Sequence, residues 1–370
     1  MNSKIFLYNP SINSKEKTNV IKCLKDNWIS SKGNFINKFE KSFKKKFSYK
    51  YATVTTNGTT ALHLALLALD IKNNEEVIVP NLTYVAPVNS VSYVGGKPIL
   101  VDVDKDTWLM NYETIIKNIT KKTRAIILVH LYGFAYDHKM INLLKYKHNL
   151  KIIEDCAEAI GTKSRGKYVG KSGDVSTFSF YGNKTMTTGE GGMVIAKQKK
   201  IINKIIRLKS QGLNINKNDN FYNHEIIGYN YRMTNICAAI GLAQLKKIDF
   251  FINRKKKINT LYKNILSKSP VEFQKPNKFI QSTYWLVNIK LKSGNLKRAL
   301  EKHLKEKNIE TRPIFKPMNR LKMYNKLDKN FYNSIDISNK GISLPSYPDI
   351  KDKQIKFIGH TIKKFLDKKI

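Results

Sequence analysis

Between Tyr51 and Asp155 short, continuously apolar runs alternate with segments of helical rhythm, and this alternation narrows the fold more than any other feature of the chain. Residues 51–55, 76–80 ("EVIVP"), 98–103 ("PILVDV"), 124–130 ("RAIILVH") and 150–155 ("LKIIED") read as strands. Residues 60–69, 85–93, 112–119 and 137–148 read as the helices between them. A strand that is apolar on both faces needs cover on both faces, so the pattern predicts an α/β fold with a mostly parallel sheet between helical layers.

The flanking segments complete this reading. Val20, Ile21, Leu24 and Trp28 fall at helical spacing and predict a first helix over 14–28, followed by a basic amphipathic helix over 35–47. Beyond Met193 helices are predicted over 197–209, 235–248 and 250–267. A strand over 284–291, a helix over 295–307, a strand near 309–312 and a helix from Asp352 follow. A chain of 370 residues can hold two units, and the change of rhythm divides it into a large α/β domain, 1–249, and a smaller α+β domain, 250–370.

The formal net charge of +39 would suit a nucleic-acid or anionic surface. Its distribution argues otherwise. Basic residues are spread over most segments, with clusters at 44–46, 197–200 and 254–257 and no aromatic-interleaved basic stripe, while Lys, Asn and Ile are all abundant, as AT-rich coding produces. No specific nucleic-acid partner is expected, only attraction for anionic substrates. Three widely spaced cysteines, Cys23, Cys156 and Cys237, suggest reduced thiols and no structural metal. With no apolar signal core and no run of about 18 apolar residues, a cytoplasmic protein without membrane insertion is expected.

In open α/β sheets ligands gather beyond the carboxyl ends of the strands. The stretch "FSFYGNKTMTTGEGGM" (178–193) ends a β-prone run and then presents Lys184, with no other charge within five residues on either side. Such a lysine either turns its amine into a site, where desolvation makes it a nucleophile able to form a Schiff base, or sits solvated at the tip of a turn. In "TTNGTTALHLAL", Gly58 and Thr59 open a helix and read as an anion cradle or an ordinary N-cap. Asp155 closes an apolar strand, where a carboxylate needs a partner: a protonated pyridine nitrogen, or a helix start that it caps. Glu158 either shares that site or is an exposed first-turn acid. Tyr84, after strand 76–80, reads as core or as a stacking platform for a flat ring. An amine, a ring-nitrogen partner, a stacking aromatic and a phosphate cradle together match pyridoxal 5′-phosphate (PLP).

These residues resemble the DegT-type sugar-nucleotide aminotransferases of PLP fold type I. The resemblance rests on "NGTTALHLAL" (57–66), "VIVPNLTYVA" (77–86), "VHLYG" (129–133), "IEDCAEAIG" (153–161), the Lys184 stretch and "GYNYRMTNICAAIGLAQL" (228–245), nearly end to end. It implies that Lys184 is the Schiff-base lysine and Asp155 the pyridinium partner. Glu158 would lie near the cofactor's ring hydroxyl and the sugar, Gly58, Thr59 and Ser179 would bind the phosphate, and Tyr84 would stack. Asn230 would reach the phosphate of a neighbouring subunit, which implies a homodimer with shared active sites.

"WISSKGNFINKFE" (28–40) and the Glu-Asp-Cys-Ala-Glu run look most like the GDP-perosamine synthase branch. That branch moves an amino group from L-glutamate to C4 of GDP-4-keto-6-deoxy-D-mannose for glycan synthesis. The same reaction on a UDP- or dTDP-linked 4-keto-6-deoxyglucose is the nearest alternative. A keto-sugar dehydratase would carry histidine in place of Lys184, and a basic regulatory protein on this scaffold would have a broken catalytic set. Tyr181, where phenylalanine is usual, and Lys316, where some perosamine synthases have histidine, depart from the pattern.

Overall fold

The structure is a computed structural model that describes residues 4–214, 223–325 and 331–369. Its main sheet has seven strands: β1 (Tyr51–Thr55), β2 (Glu76–Pro80), β3 (Lys97–Val101), β4 (Thr123–Val129), β5 (Lys151–Asp155), β6 (Val175–Ser179) and β7 (Gly192–Ala196), ordered β1-β7-β6-β5-β4-β2-β3. The central pairs are parallel, and β7 runs antiparallel to both its neighbours, β1 and β6. The sheet is therefore mixed but mostly parallel. Alternate residues enter opposite cores: Val77, Val79, Ile127 and Ile153 pack on one side, and Ile78, Ile126, Leu128 and Ile152 on the other. Both faces are covered, which is why these strands carry no polar face.

A second, antiparallel sheet joins Val271–Phe273, Val287–Leu291, Gly341–Leu344 and Arg312–Pro313 in that spatial order. The helix Ile248–Ile265 runs unbroken past residue 250. Its first turns give Phe251 and Ile252 to the aromatic core beside the main sheet, and its later turns give Ile258 and Tyr262 to the core of the small one.

Three local expectations are corrected. The strand expected from residue 284 starts at Val287, because Tyr284 takes a left-handed conformation (φ 52°) and the Trp285 N–H donates to the Tyr132 carbonyl (3.0 Å) instead of entering the sheet. The strand expected near 309–312 is Arg312–Pro313, since Ile309 bridges to Ile5. The first helix, α1 (Ser14–Lys25), stops short of Trp28: Asn27 is left-handed (φ 56°), and the Trp28 and Asn27 N–H groups close back on the carbonyls of Cys23 (3.0 Å) and Leu24 (3.1 Å).

The apolar stripe of α1 also points away from the core, leaving Ile21, Leu24 and Trp28 51%, 54% and 54% exposed. Its buried face is polar and fully partnered. Asn19 donates to the Ala239 carbonyl (3.0 Å), and Glu16 accepts from Gln244 (2.6 Å) and pairs with Lys247 (2.7 Å). Among the described residues no helix is long and apolar enough to cross a membrane.

Candidate active site

The carboxyl ends of β1, β5 and β6 lie at one edge of the main sheet and open on a cavity of about 480 Å³. The cradle comes first. The helix Gly58–Ala68 begins just after β1, capped by Asn57, whose Oδ1 accepts the Thr60 N–H (2.9 Å) while Thr60 Oγ1 accepts the Asn57 N–H (3.3 Å). The N–H groups of Gly58 and Thr59 have no partner within the helix, and its positive end favours an anion there. A Cβ on Gly58 would stand 2.9 Å from that of Ser179, so glycine is what allows the ends of β1 and β6 to close around the cradle. Gly58, Thr59 and Ser179 all line the cavity.

After β6 the chain makes a tight turn in which the Lys184 N–H donates to the Tyr181 carbonyl (2.9 Å). The turn does not lift the amine into water: the Lys184 side chain is 13% exposed, and its Nζ lies 3.4 Å from Glu158 Oε1 and 3.9 Å from the centre of the Trp285 ring. Asp155 is buried at the end of β5, its Oδ1 accepting the Ala157 N–H (3.0 Å). Glu158 is buried beside it and accepts the Tyr132 N–H at Oε2 (2.8 Å). Burial pushes both carboxyls up. For Asp155 the Ala157 N–H and the Lys184 charge offset this only in part; for Glu158 the Lys184 charge and the Tyr132 N–H do so. Tyr84 stands at the mouth, 58% exposed, its ring 5.8 Å from that of Phe315. Asn230 is not among the lining residues: it is exposed, bridged by its backbone to Ser210, and accepts from Arg232 (3.3 Å).

Residues 10–363 match the model of the DegT/DnrJ/EryC1/StrS aminotransferase family. The chain belongs to that family. Among curated relatives, the GDP-perosamine synthase of Escherichia coli O157:H7 is 48% identical over 98% of this chain and 99% of its own length, and that of Vibrio cholerae is 42% identical over the same shares. Among solved structures, the candidate sugar aminotransferase Spr1654 of Streptococcus pneumoniae, in its PLP form, superposes with a TM-score of 0.93 at 25% identity, covering 99% of this chain and 100% of its own. Aminotransferases of the DegT family use PLP, and PLP is the cofactor of this one.

The residues present fit that group. The cradle suits an anion, and the buried Thr83 Oγ1 and Asn183 Oδ1, both from cavity-lining residues, have no hydrogen-bond partner among the described residues. A protonated ring nitrogen at Asp155 would provide the countercharge that burial withholds.

Two features of this DegT-family site are absent from the sequence reading. One is Trp285, which sits at the entrance of a strand in "STYWLVNI" and whose ring the left-handed Tyr284 helps direct into the cavity. The other is Glu154, fully buried next to Asp155. Its carboxylate is paired with His130 Nε2 (3.0 Å) and accepts the N–H groups of Gly170 (2.9 Å), Ser172 (2.8 Å) and Gly173 (2.6 Å). Two consecutive acids at the end of an apolar strand were the only available signal. His130, Glu154 and Cys156 bring ligand-type atoms within 4.8 Å of one another, but the oxygens of Glu154 are already committed to these four donors, so the cluster serves as a strut.

Burial alone would raise the Glu154 carboxyl; His130 and the N–H groups of Gly173 and Gly170 outweigh it and bring it down to about 2. A lowered carboxyl stabilises the fold fully above its unfolded value, about 4.3, and that stabilisation is lost as pH falls from there towards 2. Thermal unfolding followed from pH 5 to pH 2 is therefore expected to show a falling Tm in wild type. In Glu154→Gln the Tm should be lower at pH 5 and change less across the same window. Parallel curves for the two proteins would contradict the role of this strut.

Proposed function

We propose that this chain is a sugar-nucleotide aminotransferase that carries the amino group of L-glutamate to C4 of GDP-4-keto-6-deoxy-D-mannose, giving GDP-perosamine. The observation that carries this reading is a site containing a half-buried lysine, two buried carboxyls and an anion cradle, in a chain 48% identical almost end to end to a GDP-perosamine synthase. When bound, PLP supplies the electron sink for the carbon acid. Lys184 Nζ takes the proton from the α-carbon of the donor and, in the second half of the cycle, delivers one to C4 of the sugar. Asp155 would supply the countercharge to a protonated ring nitrogen. Gly58, Thr59 and Ser179 would hold the phosphate, Tyr84 would stack on the ring, and Glu158 would orient the ring hydroxyl and the sugar. The buried face of Trp285 keeps water from one side of the amine.

The test is incubation with L-glutamate and a panel of GDP-, UDP- and dTDP-linked 4-keto-6-deoxy sugars, with products identified by mass. Turnover of the GDP-linked mannose derivative at least about tenfold above the others is expected, equivalent to about 1.4 kcal/mol of discrimination. Preference for a UDP- or dTDP-linked 4-keto-6-deoxyglucose would move the assignment to a viosamine-type product.

The same reading makes the protein a homodimer with shared sites. Asn230 is exposed and does not line its own cavity, and the half-exposed Ile21, Leu24 and Trp28 offer an apolar surface of the kind that subunits cover. Lys184→Ala and Asn230→Asp chains, each inactive alone, are expected to regain part of the activity when mixed, because one site of a hybrid carries both lesions and the other neither. Hybrids that form without regaining activity would place Asn230 in the service of its own chain.

A further inference from the structure

We infer that Trp285 is the resting seat of the Lys184 amine, a positioning residue that keeps Nζ beside Glu158 whenever the amine carries no substituent. The inference rests on the reading of Lys184 as the reactive amine, and it adds a residue to that machinery.

The same side chain grips the Lys184 turn at two points. The indole ring face lies 3.9 Å from Nζ, within the range where the ring quadrupole attracts an ammonium, and the indole N–H donates to the carbonyl of Asn183 (2.6 Å), the residue just before the lysine. The amine and the backbone that carries it are thus referenced to one rigid group. With Trp285 only 4% exposed, little water competes for the amine on that side.

The seat is itself fixed from below. The Trp285 N–H donates to the Tyr132 carbonyl (3.0 Å), and the two rings stack at 5.9 Å and 13°. The Trp285 carbonyl accepts from the buried Lys255 Nζ (2.8 Å), whose second bond goes to the Ser346 carbonyl (2.8 Å). Tyr132 also donates its N–H to Glu158 (2.8 Å). Both groups that touch Lys184 Nζ therefore hang from the two backbone polar groups of one residue. That residue holds φ at 57°, a costly conformation for a bulky side chain and one that persists where the surroundings demand it. A lysine freed in mid-reaction would otherwise swing through four rotatable bonds; here its amine has a ring face at 3.9 Å and a carboxylate at 3.4 Å.

The test uses cofactor-free protein, so it depends neither on aminotransfer nor on the identity of the sugar. Wild type, Trp285→Phe and Trp285→Leu are acetylated briefly at one pH with an N-hydroxysulfosuccinimide ester. Labelling of Lys184 is then read by mass spectrometry against the exposed Lys72 in the same digest, after unfolding temperature confirms that each variant is folded. Loss of the ring face in Trp285→Leu is expected to raise the Lys184:Lys72 ratio about two- to thirtyfold. Trp285→Phe, which keeps a weaker face, should fall between. Should Trp285→Leu fail to fold, Trp285→Met, with volume but no ring face, replaces it. An unchanged ratio, or the same rise in Phe as in Leu, overturns the seat. Failure of the sugar panel with the graded labelling intact would count against the substrate and leave the seat standing.

Discussion

Lys184→Ala is expected to reduce turnover by about four orders of magnitude or more while leaving the protein folded, the upper range for removing a proton-transfer group. The side chain lines the cavity, and its amine meets Glu158 (3.4 Å) and the Trp285 ring face (3.9 Å), both outside helices and strands, so truncation cuts no tie between secondary-structure elements. What disappears is the amine lining this cavity that can both hold the cofactor and move a proton over a reacting carbon. Single-turnover measurement at saturating L-glutamate is the direct check. A loss of less than about a hundredfold would mean that another group carries the proton.

Asp155→Asn should cost about two orders of magnitude or more in kcat, in line with the loss of one dominant, pre-oriented electrostatic contact. The substitution keeps the shape of the side chain, and its amide oxygen can still accept the Ala157 N–H that Asp155 Oδ1 holds at 3.0 Å, so local structure is preserved. The negative charge proposed to face the ring nitrogen is lost. The effect should fall on kcat with saturating donor more than on KM, because the charge acts on the chemical step. Near-normal kcat would reduce Asp155 to the cap of the turn at residues 155–157.

The part of this site legible in the sequence is the part built by local rules. Strands buried on both faces must be apolar throughout, so 76–80 and 150–155 announced themselves, and with them the edge where Asp155 stands. Asn57, Gly58 and Thr60 start a helix through bonds spanning at most four residues, and the isolation of Lys184 among uncharged neighbours is visible in one window. Trp285 was not legible for the opposite reason. Its place is set by Tyr132, Asn183, Lys255 and, through Lys255, Ser346, partners that lie 30 to 102 residues away or further, and by a left-handed Tyr284 that no propensity favours. The helix α1 misled for a related reason. Its period is helical, but its polar stripe is the buried one, because Glu16 and Asn19 find donors and acceptors on the helix Asn235–Lys246 and at Lys247. Burial followed partner geometry there and not side-chain polarity.

The central claim, that Lys184 is the lysine at which this DegT-family enzyme holds its cofactor, is tested most directly by borohydride reduction of the purified holoenzyme followed by peptide mapping. The cofactor-derived mass is expected on the peptide carrying Lys184, in close to one copy per chain, with loss of the yellow absorbance and of activity. Its recovery on any other lysine, Lys255 and Lys209 included, would contradict the assignment.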